Sequence, residues 1–326
     1  MINKLELFGF KSYVDESLDL YPLTILTGLN SSGKSSVIQA IRILGRAAQG
    51  EKNPLLDGYG DYRDLKNPNN ESWDISANTT QGDYIQMGMN GVKGKYPSFP
   101  NITYVSAGRL GPQVLLHIHR DAELDEIGEN MLRCIEENQN LIIPEVLRHP
   151  QAEGDTFLYN LRAWLSTISP EMKFDWKIQK DSDSSYSLFD GHRANNVGFG
   201  LSYTLPVIVA ILLASTRENT IVLVENPEAH LHPRGQVEMA TLIAKAVQVG
   251  VQVIVETHSD HFFDGIRIAV KESNGELCDK VITYWFELDK YKNTQKEVCF
   301  MDGNGRIAKW PKGMFDQFEI NAFKLM

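Results

Sequence analysis

Apolar and polar side chains alternate over residues 2–9 and 16–21, the two-residue period of half-buried strands, and 23–27 reads as a short apolar strand. A helix then runs to about residue 48. Residues 50–110 are rich in Asn, Asp, Gly and Tyr, with strand-like pieces at 84–87 and 102–106, which predicts an antiparallel flanking region. Helical spacing at 122–138 and 155–168, followed by the polar run Asp181-Ser182-Asp183-Ser184-Ser185, predicts a helical insertion or lid over 112–190 with a turn or mobile loop. From residue 200 the pattern alternates: helix 200–215, strand 220–224, helix 234–247, strand 251–256, helix 260–271, then strands at 280–287 and 296–301 and a tail over 302–326. Such alternation marks a mostly parallel central sheet wrapped by helices, so the expected fold is α/β, one domain over 1–326.

Composition narrows the class. With 42% hydrophobic and 23% charged residues the chain is an ordinary globular one. It has no unbroken apolar stretch of membrane-spanning length and no leader-like N-terminus, which predicts a cytoplasmic protein. Cys134, Cys278 and Cys299 are scattered, an arrangement suited to neither disulfides nor zinc. A net charge of −10 argues against a surface that coats nucleic acid, and Lys93-Gly94-Lys95 is the compact basic cluster.

The segment Gly28-Leu29-Asn30-Ser31-Ser32-Gly33-Lys34-Ser35-Ser36 carries GxxxxGK[ST] between an apolar strand and a helix. Backbone N–H groups of such a loop turn inward around phosphate oxygens, which needs glycine where a Cβ would clash, and the helix adds its positive dipole end. Lys34 is expected to reach the β and γ phosphates of ATP, and the Ser35 hydroxyl to bind Mg²⁺.

The apolar strand Ile221-Val222-Leu223-Val224 ends in Glu225, the form of a metal-side acid, and runs on as Asn226-Pro227-Glu228-Ala229-His230-Leu231-His232-Pro233. The i, i+2 spacing of His230 and His232 suits structural or dimer contacts better than a metal pair. The next strand ends in Glu256-Thr257-His258-Ser259-Asp260, where His258 is placed to sense a γ-phosphate and Thr257 or Ser259 to cap a helix.

These blocks resemble the ABC-type ATPase heads of the SMC and OLD families, and more closely the prokaryotic AAA-labelled ATPases that end in a small uncharacterised domain. Leu7-Phe8-Gly9-Phe10-Lys11-Ser12 is similar to the SMC "GFKS" strand, residues 225–233 to the OLD "EEPEAHLHP" block, and Glu256-Thr257-His258-Ser259 to its "THS" switch. Trp310-Pro311-Lys312-Gly313-Met314-Phe315-Asp316-Gln317 is similar to the "WPxGFFDQ" tail. The resemblance implies a head-to-head dimer formed on ATP binding, with each nucleotide also touched by the other subunit's signature segment. Val197-Gly198-Phe199-Gly200-Leu201-Ser202 stands where the family has LSGG(Q/E), which makes Gly200 and Ser202 the trans contacts. Asn226 replaces the usual second glutamate; an amide orients water but cannot take its proton, so slow hydrolysis is expected, with Glu228 or His258 as substitute. Arg109 follows a strand, at a place where ATPases that this chain resembles often carry a polar sensor, which makes it a candidate phosphate sensor.

The expected function is an ATPase switch that controls a separately encoded effector, in the antiphage setting of such relatives. The alternatives are a DNA-repair or DNA-end-sensing ATPase and a stand-alone nuclease or toxin. The last would need a carboxylate cluster away from the ATP site; Glu123, Asp125, Glu126 and Glu129 instead have the spacing of a solvated helix face.

Overall fold

The computed structural model describes residues 1–168 and 172–326. The chain opens with β1 (Ile2–Phe8), β2 (Asp15–Asp19), β3 (Leu23–Gly28) and α1 (Lys34–Ala48), continues through β4 (Asp74–Thr79), β5 (Tyr84–Gly88), β6 (Gly91–Lys95) and β7 (Asn101–Val105), and reaches β8 (Leu116–His117), α2 (Met131–Asn138) and α3 (Phe157–Ile168). Then come β9 (Phe174–Gln179), β10 (Ser184–Phe189), β11 (His192–Arg193) and α4 (Phe199–Ala214). The last part is β12 (Thr220–Glu225), α5 (Pro233–Gln248), β13 (Gln252–Glu256), α6 (Asp260–Glu272), β14 (Val281–Leu288), β15 (Thr294–Cys299) and α7 (Gln317–Leu325).

The central sheet has the order β15-β14-β3-β13-β12-β7. It is parallel except for β15, which pairs antiparallel with β14. Side chains alternate across it, as the pleat requires. Val222 and Val224 of β12 and Val253 and Val255 of β13 enter the core shared with α3, α4, α5 and α6. Ile221, Leu223 and Ile254 enter the opposite core, built with α1 and the second sheet. That second sheet is antiparallel, in the order β2-β1-β4-β5-β6. Helix α4 is apolar all round and buried from Thr204 to Ala214, with Pro206 inside it, which suits a helix enclosed by neighbours rather than lying on the surface. Each Leu or Ile so enclosed contributes about 1.5–3 kcal/mol.

Three sequence expectations change. The piece at 102–106 leaves the flanking region: β7 pairs in parallel with β12 and forms one edge of the central sheet. The 122–138 helix shrinks to α2, because the Asp125 carboxylate accepts hydrogen bonds from the amides of Ile127, Glu129 and Asn130 and holds a loop there. Glu123, Asp125, Glu126 and Glu129 therefore lie outside any helix. The 112–190 insertion is mixed rather than helical, since β8 and β9 both pair antiparallel with β10 inside it, and β11 just beyond it joins the same sheet. The 181–185 run is the tight connection into β10, with Asp183 in the left-handed region. The tail folds back on α6: Arg267 donates to the Gly305 carbonyl, and the Phe263 ring lies 5.2 Å from that of Phe315.

Candidate nucleotide site

Strand β3 delivers the loop to the carboxyl edge of the parallel sheet, where open α/β sheets present ligands. Gly28 has φ 142, and a Cβ there would meet the Phe286 carbonyl oxygen at 2.1 Å. Gly33 has φ 103, and its Cβ would fall 2.4 Å from Thr294 Oγ1. Both positions therefore need glycine. Ser31 also turns left-handed, with φ 61, which closes the loop over the start of α1. No side chain caps that helix at Gly33, and Ser32 Oγ is buried without a partner. A helix start with free amides and an orphaned hydroxyl fits a phosphate group.

The loop is braced from two distant parts of the chain. Tyr13 OH donates to the Gly33 carbonyl at 3.0 Å, and Thr294 Oγ1 donates to the Ser32 carbonyl at 2.9 Å. Ser12 Oγ and Thr294 Oγ1 are 2.6 Å apart. Burial pushes the Tyr13 phenol well above its ordinary pKa, so it stays a donor.

Lys34 is 3% exposed and donates to the carbonyls of Leu29 (2.8 Å) and Gly28 (3.2 Å). Burial lowers its pKa, while Glu256, 3.9 Å away, acts in the opposite direction. Ser35 Oγ donates to Glu256 Oε2 at 2.8 Å. Asn30, Ser31, Ser32, Gly33, Lys34, Ser35 and Ser36 line one cleft of ≈ 400 Å³ with Ser12, Glu256 and His258. Gly28 and Leu29 form the base of the loop, and the Leu29 amide donates a hydrogen bond to the Phe286 carbonyl. Burial, then the charge of Lys34, lower the His258 pKa below the usual histidine value, so its ring is neutral near pH 7.

Glu225 ends β12, one strand beyond β13, and its Cα pairs with that of Glu256. Its carboxylate accepts from the Ala107 amide at 3.1 Å. Asn226 has φ 46 and donates its amide to the Glu256 carbonyl at 2.8 Å. Glu228 Oε1 accepts from the His258 amide at 2.9 Å. Glu228 Oε2 and Asn226 Oδ1 are both buried without partners. Burial raises the Glu228 pKa, against the pull of the His258 and Glu228 amides, the Thr257 hydroxyl and the charge of Arg109. Burial raises Glu256 to about 6, opposed by the Ser35 hydrogen bond and reinforced by the charge of Glu225.

Arg109 is 1% exposed and spends its guanidinium on main-chain carbonyls: Nε on Tyr203, Nη1 on Ser106 and Glu225, Nη2 on Asn226. It staples β12 to α4 and is not disposed as a phosphate sensor. His232 Nδ1 accepts from the Arg234 amide and caps α5, while the His230 ring lies 4.6 Å from that of Tyr203. Ser259 caps α6 through the Phe262 amide.

Gly200 and Ser202 lie in the first turn of α4, away from the Lys34 cleft. Gly200 packs under the His230 carbonyl, where a Cβ would approach to 2.8 Å. Among the described residues, no group of three or more His, Cys, Asp or Glu side chains is arranged to hold a metal by itself. Mg²⁺ bound largely by phosphates, with one or two protein oxygens, needs no such group, and Ser35 with its neighbouring acids suits it. From the sequence Glu256 is visible only as the first residue of the Glu256-Thr257-His258-Ser259 block, with no role of its own, and Thr294 is not visible as a site residue. A second carboxylate at a strand end beside the loop strand was the available signal for Glu256; Thr294 gave none.

A family profile described as AAA ATPase domain matches residues 1–190 and 117–263, and one described as a protein of unknown function (DUF3696) matches 278–325. Over 90 residues the chain is 29% identical to the Old nuclease of Escherichia phage P2, a match covering 26% of this chain and 15% of that protein. An SMC head bound to the C-winged helix domain of ScpA superposes with a TM-score of 0.59 at 14% identity, over 92% of this chain and 97% of the other. An SMC head with an extended coiled coil, bound to the C-terminal domain of ScpA from Pyrococcus furiosus, gives 0.54 at 13% identity, over 100% and 99%. Among the described residues no helix is long and apolar enough to cross a membrane. With the profile match spanning most of its length, the chain belongs to the AAA ATPase domain family, and its fold is that of the SMC heads.

Proposed function

We propose that the protein binds ATP with Mg²⁺ at the Lys34 cleft, hydrolyses it slowly, and uses the nucleotide to switch a homodimer that regulates a separately encoded effector. The observation that carries the nucleotide reading is the convergence of Lys34, Ser35, Glu256 and His258 on one cleft at the head of α1. Lys34 and the amides of α1 hold the phosphates, Ser35 supplies a metal ligand, and Glu225 supports the metal from the next strand but one.

For hydrolysis, the two orphaned acceptors matter most. Asn226 Oδ1 and Glu228 Oε2 are buried acceptors on the same turn after β12, and a water molecule is the donor that suits both. Asn226 orients that water and Glu228 takes its proton. A neutral His258 contacts the γ-phosphate without adding charge. Gly200 and Ser202 do not line the cleft of their own chain, and we assign them to the nucleotide of the other subunit across a dimer interface. Exposed Phe199 and the helix start at Gly198, which has no side-chain cap, support that placement.

The antiphage setting is carried over by analogy from the families that the motif blocks resemble. Light scattering on the sized protein tests the switch: Glu228→Gln should run as a monomer without nucleotide and as a dimer with ATP and Mg²⁺. A monomer in both conditions contradicts it. Adding the product of the neighbouring gene should then shift only one of the two forms.

A further inference from the structure

The carboxylate that touches the P-loop serine is on β13, not on the acidic strand β12. Glu256 is 7% exposed, accepts from Ser35 Oγ at 2.8 Å and lies 3.9 Å from Lys34 Nζ. Its Cα pairs with Leu26 of the loop strand on one side and Glu225 on the other, so it stands between the loop and the acidic strand. Glu225, by contrast, is engaged toward β7 through the Ala107 amide.

Building on the nucleotide reading above, we propose that Glu256 is a metal-side carboxylate that makes nucleotide binding conditional on a divalent cation. An acid this close to the lysine and serine of the loop also stands close to the triphosphate they hold. Two anions in a partly dehydrated cleft repel strongly. A cation ligated by Ser35 turns that repulsion into attraction, because Glu256 then faces the cation, directly or through a bound water. The same residue therefore opposes metal-free nucleotide and favours its metal complex. A carboxylate with a purely structural role would shift both affinities alike.

The test is an equilibrium titration of a non-hydrolysable ATP analogue onto wild type, Glu256→Gln and Glu256→Asp, in excess EDTA and in excess Mg²⁺. For the Gln variant, affinity in EDTA should improve and affinity in Mg²⁺ should fall, so that the enhancement by Mg²⁺ shrinks at least tenfold. The Asp variant should recover most of that enhancement. Mn²⁺ paramagnetic resonance gives a second readout, with weaker Mn²⁺ binding in the Gln variant's nucleotide complex. An enhancement equal to wild type in a folded Gln variant overturns the proposal while leaving the nucleotide site intact. No binding to wild type in either buffer overturns both.

Discussion

Thr294 Oγ1 donates a 2.9 Å hydrogen bond to the Ser32 carbonyl, tying β15 to a phosphate loop 262 positions away in sequence. The same threonine's amide donates to the Ser12 carbonyl, so the segment after β1 and the last strand meet at the loop. The region matched as a protein of unknown function thus supplies a brace for the nucleotide site.

Thr294→Val keeps the shape but removes the donor, leaving a buried carbonyl short of a partner at about 1–3 kcal/mol. ATP affinity should weaken roughly tenfold, the equivalent of about 1.4 kcal/mol. Fluorescence titration with a labelled nucleotide checks this. Thr294→Ser should stay close to wild type, and an unaffected Val variant would show that the loop needs no brace.

Arg109→Met removes the staple that joins the ends of β7 and β12 to α4 and takes a charged donor from the main-chain carbonyls of Ser106, Tyr203, Glu225 and Asn226, of which Ser106 and Asn226 keep a main-chain amide. Hydrogen bonds from a charged donor are worth about 1.5–3 kcal/mol each, and neighbouring ones are not additive. A loss of about 3 kcal/mol or more in urea unfolding is expected. Unchanged stability with reduced turnover would restore the phosphate-sensor reading.

Glu228→Gln keeps the hydrogen bond from the His258 amide possible but removes the base. Turnover should fall by about 10² or more while ATP affinity stays within about threefold, the pattern of a proton acceptor acting in the transition state. Equal turnover would pass the role to His258 or to a water-only route.

The pH profile carries the same claim. Glu228 must be ionised to accept a proton, and burial raises its pKa above 4.5. The wild-type rate should therefore fall as pH is lowered through a value above 4.5 and level off at higher pH. In Glu228→Gln that acid limb should vanish; its persistence would assign the limb to another group.

The strand–loop–helix of the nucleotide site and the alternation after residue 200 are legible because their signals are local: glycines with special φ, apolar strands, and a capping residue such as Ser259. The membership of β7 in the central sheet was not, since its partner β12 lies more than a hundred residues on and pairing leaves no mark on either segment. Asp125 misled because its carboxylate gathers nearby amides, as a helix cap does, without a helix around it. Asn226 stands out in the sequence as a departure from the family block, but its left-handed φ and unpaired Oδ1 are properties of the folded turn. Glu256 is visible in the sequence as a carboxylate at a strand end, but only the sheet order sets it beside Ser35.

Calorimetric titration of ATP with Mg²⁺ onto wild type and Lys34→Ala tests the central claim most directly. Saturable binding near one nucleotide per chain, weakened at least 100-fold in the variant, is the expected result. Equal affinity in the two proteins would contradict it.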